Sequence, residues 1–98
     1  MVKSPKAANA EACQALEQLP NIGPALAADL RRLGIRHPAE LKSLDPFQLY
    51  QALCQACGKR QDPCVLDTFM AATDFMRGAE PAPWWRYTAQ RKQVYGPV

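Results

Sequence analysis

Proline restricts a backbone more than any other residue, and where this chain places its nine prolines decides much of what it can fold into. Five lie in the middle of the chain. Pro24, Pro38, Pro46 and Pro63 each stand at the head of an apolar run with helical spacing, where a missing N–H costs nothing and the fixed φ is already helical. Asp45 and Asp62 precede two of them and are suited to cap the helices that follow. Pro20 instead follows Leu19, the last apolar residue of an earlier run, and ends it, because the residue before a proline is driven out of the helical region. The other four, Pro5, Pro81, Pro83 and Pro97, fall in the terminal extensions. Proline at this density often accompanies disorder, but a chain that is 48% hydrophobic is too apolar for that.

The apolar spacing then predicts five short helices. The first covers about 10–19, with Asn9 as its cap and Ala12, Leu16 and Leu19 on one face. The second covers 24–33, with Leu26, Leu30 and Leu33 inward and Gly34 as a left-handed stop. A short third helix covers 38–44. The fourth covers 46–57, with a stripe of Leu49, Tyr50, Leu53, Cys54 and Cys57, and ends at Gly58. The fifth covers 63–77, with Leu66, Phe69, Met70, Thr73 and Met76 inward, before Gly78. No segment alternates with period two over more than a few residues, so the class is all-α. A chain of 98 residues has room for one small domain. Residues 1–8 read as a flexible lead, 9–78 as the domain, and 79–98 as an extended segment of proline, aromatic and basic residues.

Net charge is +3, which permits a polyanionic partner without demanding one. The N-terminal residues carry no apolar signal core, and nowhere do about 18 apolar residues run together, so a soluble, cytoplasmic protein with no membrane contact is expected. Cys13, Cys54, Cys57 and Cys64 are then expected as free thiols in a reducing compartment. Cys54, Cys57 and Cys64 invite a metal reading, but a tetrahedral site needs a fourth ligand, and Cys13 and His37 are distant in sequence. Two cysteines one helical turn apart on a buried stripe serve equally as small hydrophobes. Cys64 sits at the second position of its helix with Lys59 and Arg60 nearby, which favours thiolate and leaves a redox or nucleophilic role as an alternative. No partner for catalysis accompanies it: His37 is the sole histidine, and neither paired carboxylates nor a phosphate loop nor a nucleophile elbow occurs. No enzyme activity, cofactor, metal or small-molecule substrate is expected.

The most informative stretch is Leu19-Pro20-Asn21-Ile22-Gly23-Pro24-Ala25, continuing to Ala27, Leu30, Gly34 and Ile35. It resembles a helix-hairpin-helix motif, with Asn21 in place of the first glycine. Asn tolerates the left-handed conformation better than other non-glycine residues, and Gly23 allows close backbone approach. Ile22 plugs the turn into the core, and Ala27 is small enough for a close helix crossing. The turn leaves amides, those of Gly23 and Ala25 among them, at a helix start suited to a phosphate. Helix four, Gly58-Lys59-Arg60-Gln61-Asp62 and helix five repeat the plan in degraded form, and Lys59 and Arg60 supply the charge that Pro24 and Ala25 do not. Five helices in this order resemble a tandem helix-hairpin-helix (SAM-like) arrangement. By that resemblance, such turns hold the DNA backbone without reading sequence, while other copies serve only as structure.

A closer resemblance covers roughly residues 14–87. Leu19 to Ile35, Leu49-Tyr50, Leu53-Cys54, Gly58, Arg60-Gln61-Asp62-Pro63-Cys64-Val65-Leu66 and Trp84-Trp85 together look like the small bacterial pathogenicity-locus family, also labelled mitomycin-resistance-related. That resemblance implies the fold and a link to mitomycin resistance or tolerance of DNA damage.

Two functions emerge as expectations. The first is a non-enzymatic, sequence-nonspecific DNA-binding module, with Asn21, Ile22, Gly23 and Ala25 on phosphates, Lys59 and Arg60 adding charge, and Arg31 and Arg32 at the rim. The second is a protein-interaction adaptor in which the turn is structural. Trp84, Trp85 and Arg86, followed by Arg91 and Lys92 with no acidic residue from Pro81 onward, supply a stacking segment to the first or a partner contact to the second.

Overall fold

The structure is a computed structural model that describes residues 6–98, so Met1 to Pro5 of the expected 1–8 lead lie outside it. Among the described residues four α-helices form: α1 (Pro24–Arg32), α2 (Pro46–Cys57), α3 (Pro63–Met76) and α4 (Thr88–Tyr95). Three 3-10 segments join them, Leu16–Gln18, Pro38–Ser43 and Trp84–Tyr87. No strand occurs among the described residues, and the class is all-α.

Each proline read as a helix start stands at the first helical position of its element. Asp45 accepts from the Gln48 amide at 3.3 Å and Asp62 from the Cys64 amide at 2.9 Å, so both act as caps. Gly58 ends α2 with φ +70°, which costs a glycine little; its amide and that of Lys59 close onto Gln55 and Cys54 carbonyls.

The predicted helix over 10–19 is corrected: only Leu16–Gln18 is helical, and as a 3-10 turn. Side chains divert the backbone there. Asn9 accepts from the Ala12 amide, and Gln18 reaches back to take the amides of Gln14 and Ala15 at 2.8 and 3.0 Å. Ala12 is exposed, although Leu16 and Leu19 still enter the core. The third predicted helix is likewise 3-10, with the Glu40 carboxylate taking the Arg36 and His37 amides at 2.8 and 2.7 Å.

The extended C-terminal segment is corrected too. From Trp84 to Tyr95 it is helical, and it lies on α3. α3 is the central element, carrying Leu66, Phe69, Met70 and Phe75 inward while α2, the 38–43 turn, the 84–87 turn and α4 pack around it. Asp67 on α3 is completely buried, and the Arg91 guanidinium of α4 meets it with Nε–Oδ1 2.6 Å. Thr88 donates to the other carboxylate oxygen at 2.7 Å, so the buried charge is fully partnered. Phe47 of α2 stacks on Tyr95 at 4.8 Å between ring centroids. The N-terminal lead is tied down as well where it is described: Ala7 is buried, its amide donating to Gln18 O at 2.9 Å.

Candidate functional site

Asn21 adopts φ +65°, the left-handed conformation its short polar side chain tolerates. The positive φ therefore falls at Asn21 and not at Gly23, whose backbone is extended with φ −91°. A Cβ at Gly23 would meet nothing within 4 Å, so nothing inside the fold demands a glycine there. Ile22 is fully buried beneath the turn, and Ala27 is fully buried on α1. Gly23, Pro24 and Ala25 are exposed. No side chain caps α1, and among the described residues the amides of Gly23 and Ala25 donate to no group.

Both chain extensions reach this turn. The Lys6 ammonium donates to Ile22 O at 2.6 Å and to Glu17 O at 3.0 Å. On the other side Asn21 Nδ2 donates to Ala82 O at 2.9 Å. A hollow of about 460 Å³ lies between them, lined by Lys6, Ala7, Pro20, Asn21 and Pro81–Pro83. Sequence reasoning missed Lys6 and Ala82 here, since no local pattern marks a contact across 16 or 61 residues.

The second loop is held more firmly than its composition suggests. Tyr50 donates its hydroxyl to Gln61 O, the Gln61 amide donates to Cys54 Sγ at 3.3 Å, and the Lys59 amide closes α2. Burial raises the Tyr50 phenol above its ordinary range, keeping it protonated and able to donate. Lys59 and Arg60 are thus exposed on a fixed backbone, Arg60 beside the Tyr50 hydroxyl, and neither forms an ion pair among the described residues. Arg60 also lines an open cleft of about 380 Å³ with Pro63, Arg91, Lys92 and the 96–98 turn. Lys92 is a further exposed cation that the sequence left in an unstructured tail.

The predicted rim divides. Arg31 makes a two-pronged pair with Glu17 at 2.9 and 2.8 Å, which holds the Glu17 carboxyl below the usual range and offsets Arg31's charge. Arg32 is exposed, and its Nη1 lies 3.6 Å from Cys57 Sγ, so the end of α1 meets the end of α2 beside Lys59. The turn and this basic corner therefore occupy opposite ends of α1, about 13 Å apart at 1.5 Å per residue. Arg91, expected in the basic tail, is spent on Asp67. Arg77 is also committed, donating to Lys42 O and Leu44 O at 3.1 and 2.7 Å.

Trp84 and Trp85 meet edge to face, with centroids 5.7 Å apart and planes at 83°. Trp84 is half-buried, whereas Trp85 is 63% exposed beside an exposed Arg86. All four cysteines are free thiols. Cys54 and Cys57 are half-buried hydrogen-bond acceptors, and so more than apolar filler. For Cys64, burial and the hydrogen-bonded Asp62 carboxylate push the thiol up, which opposes the thiolate its helix position suggested. Among the described residues no three His, Cys, Asp or Glu side chains gather as metal ligands, and no helix is long and apolar enough to cross a membrane.

Comparison with known proteins adds two findings. The profile of the pathogenicity-locus family, Cdd1, matches residues 9–93. The mitomycin resistance protein McrB of Streptomyces lavendulae is 43% identical over 79 residues, covering 81% of this chain and 75% of the relative. No solved structure matches the chain.

Proposed function

The chain belongs to the pathogenicity-locus family, and from that membership and the geometry above we propose that it is a non-enzymatic, sequence-nonspecific DNA-binding module of helix-hairpin-helix type. The observation that carries the reading is the bare start of α1. Gly23 is a glycine the fold does not require, set beside unpartnered amides at the positive end of a helix. A residue of that kind is explained by something outside the chain that must come close to the backbone, and a phosphodiester fits the donors. Lys59 and Arg60, with Arg32, supply cations at the far end of α1. A separation of about 13 Å resembles the ≈ 12 Å width of a DNA major groove, so the two ends serve phosphates on either side of it. Mitomycin resistance is carried over from the relative as the setting of this activity: a protein that coats the backbone where DNA is damaged.

The test uses a labelled duplex and fluorescence anisotropy across a salt series. With about four phosphates neutralised, log affinity falls against log salt with a slope near −3.6. Gly23→Ala keeps the melting temperature and loses binding, because its methyl group stands where the phosphate goes. Replacing Lys59 and Arg60 with alanine lowers both affinity and slope. No binding at low salt, or binding unmoved by Gly23→Ala and by the double replacement, overturns the proposal.

One observation favours a second reading. Glu17 holds Arg31, and Lys6 is turned onto the Ile22 carbonyl, so cations near the turn serve the fold itself. In that reading the turn is structural and the Trp84–Trp85 segment contacts a protein partner.

A further inference from the structure

Among the described residues Trp85 is the large hydrophobic side chain the fold leaves most open, and the backbone that carries it is stiff. Pro81 and Pro83 fix φ on the approach, the Arg86 amide closes the turn onto Pro83 O at 3.1 Å, and the half-buried Trp84 braces the indole edge-on. An exposed indole held this way loses little freedom when something stacks on it.

The surroundings identify the occupant. From Pro81 to Val98 there is no acidic residue, Arg86 is exposed next to the ring, and Lys92 is exposed on α4. The surface complements an anion that also carries a flat aromatic face. The Asn21–Ala82 hydrogen bond then sets this segment against the Asn21–Ala25 turn, since three residues from Ala82 to Trp85 span at most about 10 Å. One strand can therefore leave a phosphate at the turn and lay a neighbouring base on the indole.

We propose that Trp85, braced by Trp84 and flanked by Arg86, is a stacking platform for an unpaired nucleobase, so that the protein holds single-stranded or frayed DNA in addition to duplex. This rests on the DNA-binding reading above and goes beyond it, because the bases of an intact duplex are already stacked and have no face to offer.

The experiment compares a labelled oligothymidylate with a blunt duplex, by anisotropy and by quenching of tryptophan fluorescence. Trp85→Ala weakens single-strand binding about 5- to 150-fold, the range that one lost base–aromatic stack gives, and leaves duplex affinity unchanged. Trp85→Phe keeps a ring and recovers part of the loss. In Trp84→Phe, where Trp85 is the remaining indole, single-strand binding still quenches the fluorescence. If Trp85→Ala changes single-strand affinity less than twofold, or the quenching is absent in Trp84→Phe, the platform is overturned and the surface passes to a protein partner. Duplex binding that survives that result leaves the DNA reading standing; a wild-type chain that binds neither probe overturns both.

Discussion

Replacing Arg91 with methionine strands a carboxylate in the core. Asp67 has no exposed surface, and its two oxygens are satisfied by Arg91 Nε at 2.6 Å and Thr88 Oγ1 at 2.7 Å. Methionine keeps much of the stem's volume but none of the charge, and breaking a buried pair from one side costs about 3–5 kcal/mol. For a chain of 98 residues the unfolding entropy is about 0.2 kcal/mol/K, so the melting temperature falls by roughly 15–25 °C. The control replaces both members, Asp67→Leu with Arg91→Met, which removes the stranded charge and returns roughly 10 °C or more, less the lost Thr88 bond. Thermal unfolding followed by circular dichroism reads both variants. If Arg91→Met melts within about 5 °C of the wild type, or the double variant melts no higher than the single one, then α4 is not held by this pair.

Two other expectations follow from the same geometry. Asn21→Ala places a Cβ without a polar side chain at φ +65° and loses the Ala82 bond, for about 2–3 kcal/mol together, whereas Asn21→Gly loses only the bond; equal melting temperatures would refute this. The three tyrosines are all raised by burial, Tyr87 up to about 12 with Asp74 adding to the effect. A phenol raised in the folded state stabilises below its unfolded value of about 10, and that stability is lost as pH climbs toward about 12. Denaturant titrations over that window should show the decline, and Tyr87→Phe should blunt it.

What could be read from the sequence was what is decided locally. Pro24, Pro38, Pro46 and Pro63 start their elements because a proline's φ and missing N–H act within one turn, and Asp45 and Asp62 cap from the adjacent residue. Asn21 was legible for the same reason: few side chains accept its backbone. The 10–19 stretch misled because its apolar spacing is helical while Asn9 and Gln18 offer the backbone competing hydrogen bonds. α4 was missed because Arg91 occupies its buried face, and a buried arginine looks polar until its partner, 24 residues away, is known. The candidate site was half legible. Gly23, Lys59 and Arg60 stood out by type, but the pairing of Arg31 with Glu17 and the approach of Pro81–Pro83 to the turn depend on the finished packing.

The bond between Asn21 and Ala82 also joins distant parts of the chain. Tyr50 and Gln61 are 11 residues apart, so α2, its loop and α3 can assemble early from nearby contacts. The 20–24 turn instead takes one of its contacts from a residue 61 positions downstream, and closing so long a loop costs more entropy than closing the short one. The turn's bond to Ala82 therefore depends on the chain beyond α3, and loss of residues 79–83 removes it while leaving the Tyr50–Gln61 bond in place. A change in the 79–83 segment is thereby felt at the turn without any change in α1 itself.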